Sequence, residues 1–124
     1  MIKGRVDAVT EKRDIIDLKT TSSLLNFEKD IVRYEYYIQA AMYYDLLTYR
    51  YKNDRFSIEL FTDRTYYILA LEKEPPYECC MFEISKEKLE QSREIYKNRI
   101  KLIRDSKDMP FCEYYGGKQK IIRI

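Results

Sequence analysis

The sequence predicts an α/β (α+β) fold: a mixed β-sheet of about four strands flanked by helices, in the order β-β-α-(short α)-β-β-α. Three observations predict it. Runs rich in β-branched and aromatic residues come in two pairs, at 2–9 with 14–19 and at 65–71 with 77–84. A long segment of three- and four-residue apolar spacing follows each pair. The chain of 124 residues is 45% apolar and 35% charged, a globular balance, and residues 1–124 read as one domain with one modest core.

Residues 2–9 alternate loosely and form the first strand; Glu11, Lys12 and Arg13 make a polar turn; Ile15, Ile16 and Leu18 mark the second strand. With the turn centred on Lys12, Asp7 falls opposite Asp17, and Lys19 lies two residues on along the same face. A turn one residue longer or shorter changes that register. Residues 20–26 read as a loop with helix-start character. An amphipathic helix follows over 27–49, with Leu24, Phe27, Ile31, Tyr34, Ile38, Ala41 and Asp45 stepping along one side. Gln39 and Tyr43 stack four apart on an offset face, with Tyr36 just before them. Residues 51–55 are a polar break, and 56–61 read as a short helix with a strand as the alternative.

The segment TYYILAL at 65–71 is a buried strand, Glu74-Pro75-Pro76 breaks the chain, and YECCMFEI at 77–84 pairs back antiparallel. Ser85 is a suitable N-cap, with Ile84 and Leu89 as a hydrophobic staple. The last helix runs to about Asp105 and turns Leu89, Tyr96, Ile100 and Ile103 inward. The tail, with Pro110, Gly116-Gly117 and a final KQKIIRI, suits an edge strand or an oligomer contact.

Composition excludes several chemistries. There is no histidine, so Ser-His-Asp and Cys-His catalysis and His-ligated zinc are ruled out. Work near neutral pH falls to carboxylates, Lys, Tyr, Cys or a metal. Cys79, Cys80 and Cys112 form no CxxC pair and read as reduced, mostly buried thiols of a cytoplasmic protein. No apolar run approaches the ~20 residues of a membrane span. The net charge of +2 does not by itself argue for nucleic acid.

Two acids and a lysine on adjoining strands are the parts of a metal-dependent phosphodiesterase. Such hydrolysis needs an activated water and a place for negative charge, and Mg²⁺ or Mn²⁺ held by hard oxygens supplies both. Asp7 and Asp17 are suitable ligands, with the main-chain carbonyl of Leu18 as a third. Lys19 suits orientation of the water and stabilisation of developing charge. The bare spacing Asp-x9-Asp-x-Lys is also what an ordinary hairpin with a solvated charged face looks like. Against that, Ile15-Ile16 and Leu18 make the second strand read as a central one.

Gly4-Arg5-Val6-Asp7, then Ile16-Asp17-Leu18-Lys19-Thr20-Thr21, then Tyr34-x-Tyr36-x-x-Gln39-x-x-x-Tyr43, resembles the PD-(D/E)xK nuclease superfamily. Within it the chain is most similar to the phage-type RecE-like exonucleases and their RecB-like relatives. The resemblance implies a restriction-endonuclease-like core and a metal-dependent DNA exonuclease of phage or prophage recombination. It makes Asp7 and Asp17 metal ligands and Lys19 the catalytic lysine. Thr20 and Thr21 would line the site, and Gln39 and Tyr43 would contact the DNA strand or the water network. Tyr36 belongs to the same group, with plain packing as its alternative. The implied partners are DNA, a single-strand annealing protein and further copies of the chain.

The resemblance also implies an acidic residue, often with a histidine, on a helix ahead of the first catalytic strand. This chain begins at that strand, so the expectation is a domain lacking the usual upstream helix. That leaves two other readings. One is a catalytically incomplete remnant of the fold that binds DNA or a protein. The other is a small structural protein whose tyrosine-rich helix is an oligomer interface.

Overall fold

The turn between the first two strands sets the register of the sheet. In the computed structural model, which describes residues 2–52 and 64–105, Thr10 N–H donates to the Asp14 carbonyl at 2.9 Å and Arg13 N–H to the Thr10 carbonyl at 2.9 Å. Arg13 has φ of 69°, the left-handed residue that closes a three-residue hairpin loop. The loop is therefore centred on Lys12. Strand β1 (Ala8–Val9) pairs antiparallel with β2 (Ile15–Thr21) as Ala8↔Ile16 and Val9↔Ile15.

Strand β2 is central. It runs parallel to β3 (Tyr66–Glu72), from Ile15↔Tyr66 to Thr21↔Glu72. Strand β3 in turn pairs antiparallel with β4 (Cys79–Ile84), so the order is β1-β2-β3-β4 in a mixed sheet. Asp14 fixes the start of the parallel pair, its Oδ1 accepting the Thr65 N–H at 2.8 Å.

Alternation then assigns the two faces. Ile15, Asp17 and Thr21 of β2, Tyr66, Ile68 and Ala70 of β3, and Ile84 of β4 are all buried, and the register puts them on one side. A 3-10 turn (Leu24–Asn26), helix α1 (Phe27–Arg33) and helix α2 (Tyr36–Lys52) close that side through Phe27, Ala40 and Ala41. The small Ala40–Ala41 pair allows close approach to the sheet. Helix α3 (Lys86–Asp105) packs along α2 and adds Leu89 to the core. Ser85 caps it, Oγ accepting the Lys88 N–H at 3.2 Å. On the other side of the sheet Leu18 and Met81 are each 48% exposed.

Several expectations are corrected. The first strand is two residues long, not eight, because Asp7 takes over the next ladder position with its side chain and residues 2–6 run against α2 instead. The helix expected over 27–49 is two helices, broken at Glu35, whose φ is 53°. Tyr34 is consequently exposed rather than inward, and so is Ile103 at the far end of α3, at 72%. Thr20 and Thr21 extend β2 instead of opening a loop, and α2 continues to Lys52. Cys79 and Cys80 are free, as expected, but exposed, because they open an edge strand. The expected element at 56–61, Cys112 and the tail lie outside the described residues.

Candidate active site

The site assembles where β1 gives out beside β2. Asp7 lies one residue before β1, at the ladder position facing Asp17. Its Oδ2 accepts the main-chain N–H of Leu18 at 2.9 Å, standing in for a backbone carbonyl of the missing strand. The N–H and C=O of one strand residue face the same edge, so the Leu18 carbonyl is directed to the Asp7 side as well. The Leu18 side chain points to the open face.

Asp17 projects to the helix-covered face and is only 4% exposed. Lys19 Nζ lies 2.5 Å from its Oδ2. The approach is off the direction of a hydrogen bond, so this buried oxygen has an ion pair but no directed donor among the described residues. Burial raises the Asp17 carboxyl above the ordinary carboxylate range; Lys19 pulls it back, and Asp7 adds a further upward push. Burial outweighs the lysine because a desolvated carboxylate loses more hydration than one flanking ammonium returns.

Lys19 reaches past Asp17 to α2. Its Nζ donates to Gln39 Oε1 at 3.2 Å and sits 4.8 Å from the centre of the Tyr36 ring. The lysine is therefore held on three sides, by a carboxylate, an amide oxygen and a π face. Tyr43, one turn beyond Gln39, packs against the Gly4 backbone, where an added Cβ would lie 2.8 Å from the ring. Glycine at position 4 lets the chain before Asp7 pass under Tyr43. Arg5 and Arg50 line a hollow of about 280 Å³ together with Tyr43.

The structure thus brings Asp7, Asp17, Lys19, Tyr36 and Gln39 together, with Tyr43 beside them. Two of the residues named from sequence stand apart. Thr20 is exposed on the opposite face of the sheet, as strand alternation requires. Thr21 is on the site face, but its Oγ1 is engaged with Ser23, accepting the Ser23 N–H at 3.2 Å.

Sequence reasoning missed Tyr66. It neighbours Ile15 on β3 and shares the Asp17 face. It is 1% exposed, and its hydroxyl has no hydrogen-bond partner among the described residues. Burial first, then the Asp17, Tyr43 and Asp7 charges, push that phenol well up, so it stays protonated. Only the parallel register of β2 and β3 reveals it, and no local sequence signal carries that register.

The donor set suits a hard divalent cation. Two carboxylates and a main-chain carbonyl, with water completing the shell, are what Mg²⁺ accepts. The Asp17 oxygen without a directed donor has spare capacity for such an ion. Among the described residues, no group of three or more Asp, Glu, Cys or His side chains gathers at metal-binding distance.

Over residues 1–123 the chain matches the family described as a PDDEXK-like domain of unknown function (DUF3799). The chain belongs to this family. Among the described residues, the mixed four-stranded sheet with three α-helices is consistent with a PDDEXK-like fold. Membership points to nuclease-type chemistry, and divalent metals are the general cofactors of PDDEXK-like nucleases. No curated protein matches the chain. No described helix is long and apolar enough to cross a membrane.

Proposed function

We propose that this PDDEXK-like domain is a metal-dependent DNA exonuclease of the RecE-like kind. The observation that carries the reading is the ion pair between buried Asp17 and half-buried Lys19, tied to Gln39 and facing Asp7. A buried acid paired with a half-buried lysine on a central strand is costly to keep without a use.

Asp7, Asp17 and the Leu18 carbonyl would hold Mg²⁺ or Mn²⁺. The bound ion would lower the pKa of its water and polarise the phosphate. Asp7 and Asp17 would orient that water as they hold the ion. Lys19, paired with Asp17 and hydrogen-bonded to Gln39, stabilises the charge that develops on the phosphate. Gln39 fixes the lysine. Tyr43, Arg5 and Arg50 face the DNA strand. Residues 1–124 work as one domain, and the partners are DNA and, in recombination, a single-strand annealing protein or further copies of this chain.

The test is digestion of linear duplex DNA with Mn²⁺ or Mg²⁺. Activity that disappears with a chelator and falls about 10²–10³-fold in Lys19→Ala, with unchanged circular dichroism, is the expected result. Equal activity in Asp17→Asn overturns the reading. A second reading is the same fold binding DNA without cutting it, favoured by the two-carboxylate donor set. It requires salt-sensitive DNA affinity and no cleavage with either metal.

A further inference from the structure

Glu35, the residue that breaks the long helix, is held in a left-handed conformation with φ of 53°. Non-glycine residues rarely accept that conformation. Nothing in its side chain requires it, yet three contacts hold it. Its N–H donates to the Val32 carbonyl at 3.1 Å, its carbonyl accepts the Ile38 N–H at 2.9 Å, and Arg99 of α3 grips its carboxylate with bonds of 2.9 and 3.0 Å.

The consequence lies in the two flanking tyrosines. In an unbroken helix, residues two apart point to nearly opposite sides and never stack. Across the Glu35 break, Tyr34 and Tyr36 do stack, with ring centres 5.7 Å apart and planes at 29°. Each ring of the stack has a cation near it. Lys19 Nζ is 4.8 Å from the Tyr36 ring, and the Arg33 guanidinium is 5.5 Å from the Tyr34 ring. The inner ring is therefore the one beside the site lysine, and the outer ring, Tyr34, is 57% exposed. Tyr36 is anchored on Phe27 and the core, so the strained, clamped Glu35 has its cost for turning the exposed Tyr34 ring onto Tyr36, which adds nothing to core packing.

We infer that Tyr34, stacked on Tyr36 and flanked by Arg33, is a stacking platform for an unpaired base of the DNA strand entering the site. The inference rests on the DNA-processing reading of the Asp7–Asp17–Lys19 site and adds a substrate form to it. Aromatic faces bind bases of any identity, but only bases already out of a duplex stack. Arg33 supplies a positive charge for the neighbouring phosphate. The path from Arg33 over the two rings to Lys19 is continuous, so a base on Tyr34 places its strand beside the site. The platform favours a frayed or single-stranded end over a blunt duplex.

The experiment uses the full chain with Ca²⁺ in place of Mg²⁺ and a short single-stranded oligonucleotide carrying 2-aminopurine near one end. Wild type is expected to bind and to quench the 2-aminopurine. Tyr34→Ala is expected to bind about tenfold more weakly and to lose the quenching. Tyr34→Phe retains both, and Val32→Ala, an exposed neighbour, serves as the control that changes neither. If Tyr34→Ala binds and quenches as wild type does while Lys19→Ala loses cleavage, the platform falls and the nuclease reading stands. If wild type binds neither single-stranded nor duplex DNA, both fall.

Discussion

Lys19 and Gln39, twenty residues apart in sequence, meet through a 3.2 Å hydrogen bond from Nζ to Oε1. The bond joins the central strand to helix α2 at the point where Asp17 also pairs with the lysine. A hydrogen bond to a charged group contributes roughly 1.5–3 kcal/mol. Gln39→Leu is therefore expected to lower kcat about ten- to a hundredfold by releasing the lysine, with little change in KM. Steady-state digestion of linear DNA measures the split. A raised KM with unchanged kcat would instead make Gln39 a contact to the DNA and not a support for Lys19.

The second prediction concerns Asp17. Its folded-state carboxyl is raised above the unfolded value of 3.8 by burial, against the pull of Lys19. A raised acid binds its proton more tightly in the folded state, so ionised Asp17 costs the metal-free fold stability at neutral pH. The cost shrinks as pH falls through the raised value and is gone below the unfolded one, where both states are protonated. Asp17→Asn is thus expected to be more stable than wild type at pH 7, and the difference to close toward pH 4. Urea unfolding at the two pH values tests this. Excess Mn²⁺, at a hundred times its Kd, should stabilise wild type by about 2.7 kcal/mol and the variant by much less.

These two predictions draw on features of very different legibility. The facing of Asp7 and Asp17 was readable because a short polar turn centred on Lys12 admits one simple register, and the left-handed Arg13 fulfils it. The order of elements and the Ser85 cap were readable for the same local reason. The break at Glu35 was not. Apolar spacing runs across it almost unchanged, and glutamate carries no preference for a left-handed backbone. The exclusion of Thr20 from the site was implicit in strand alternation, once the strand is known to extend that far. Tyr66 depends on a parallel pairing between segments about fifty residues apart in sequence, which local pattern does not encode.

Tyr66 gives the third prediction. A buried hydroxyl without a partner costs the fold its lost hydration. Tyr66→Phe removes the cost and leaves the ring packing, so the metal-free protein is expected to gain up to about 1 kcal/mol in urea unfolding. A loss of similar size would show that the hydroxyl is satisfied in solution, by a buried water shared with Asp17.

The fourth prediction tests how α2 is held in place. Arg93 of α3 donates to Asp45 of α2 through Nε and a terminal nitrogen, at 2.8 and 2.7 Å, and the Tyr96 hydroxyl donates to the same carboxylate. Asp45 raises the Arg93 guanidinium above its ordinary value, chiefly through these bonds. The side chains are 25% and 21% exposed, so the pair is neither a surface bridge nor fully desolvated. Its loss should fall between those limits, above the roughly 0–1 kcal/mol of exposed pairs and below the roughly 3–5 kcal/mol of buried ones. Asp45→Ala is expected to cost about 2 kcal/mol. In a double-mutant cycle with Arg93→Ala the two losses should be clearly non-additive, coupled by at least about 1 kcal/mol. Additive losses would mean that Asp45 and Arg93 do not act as a coupled pair, and that the geometry of Gln39 and Tyr43 does not depend on this ion pair.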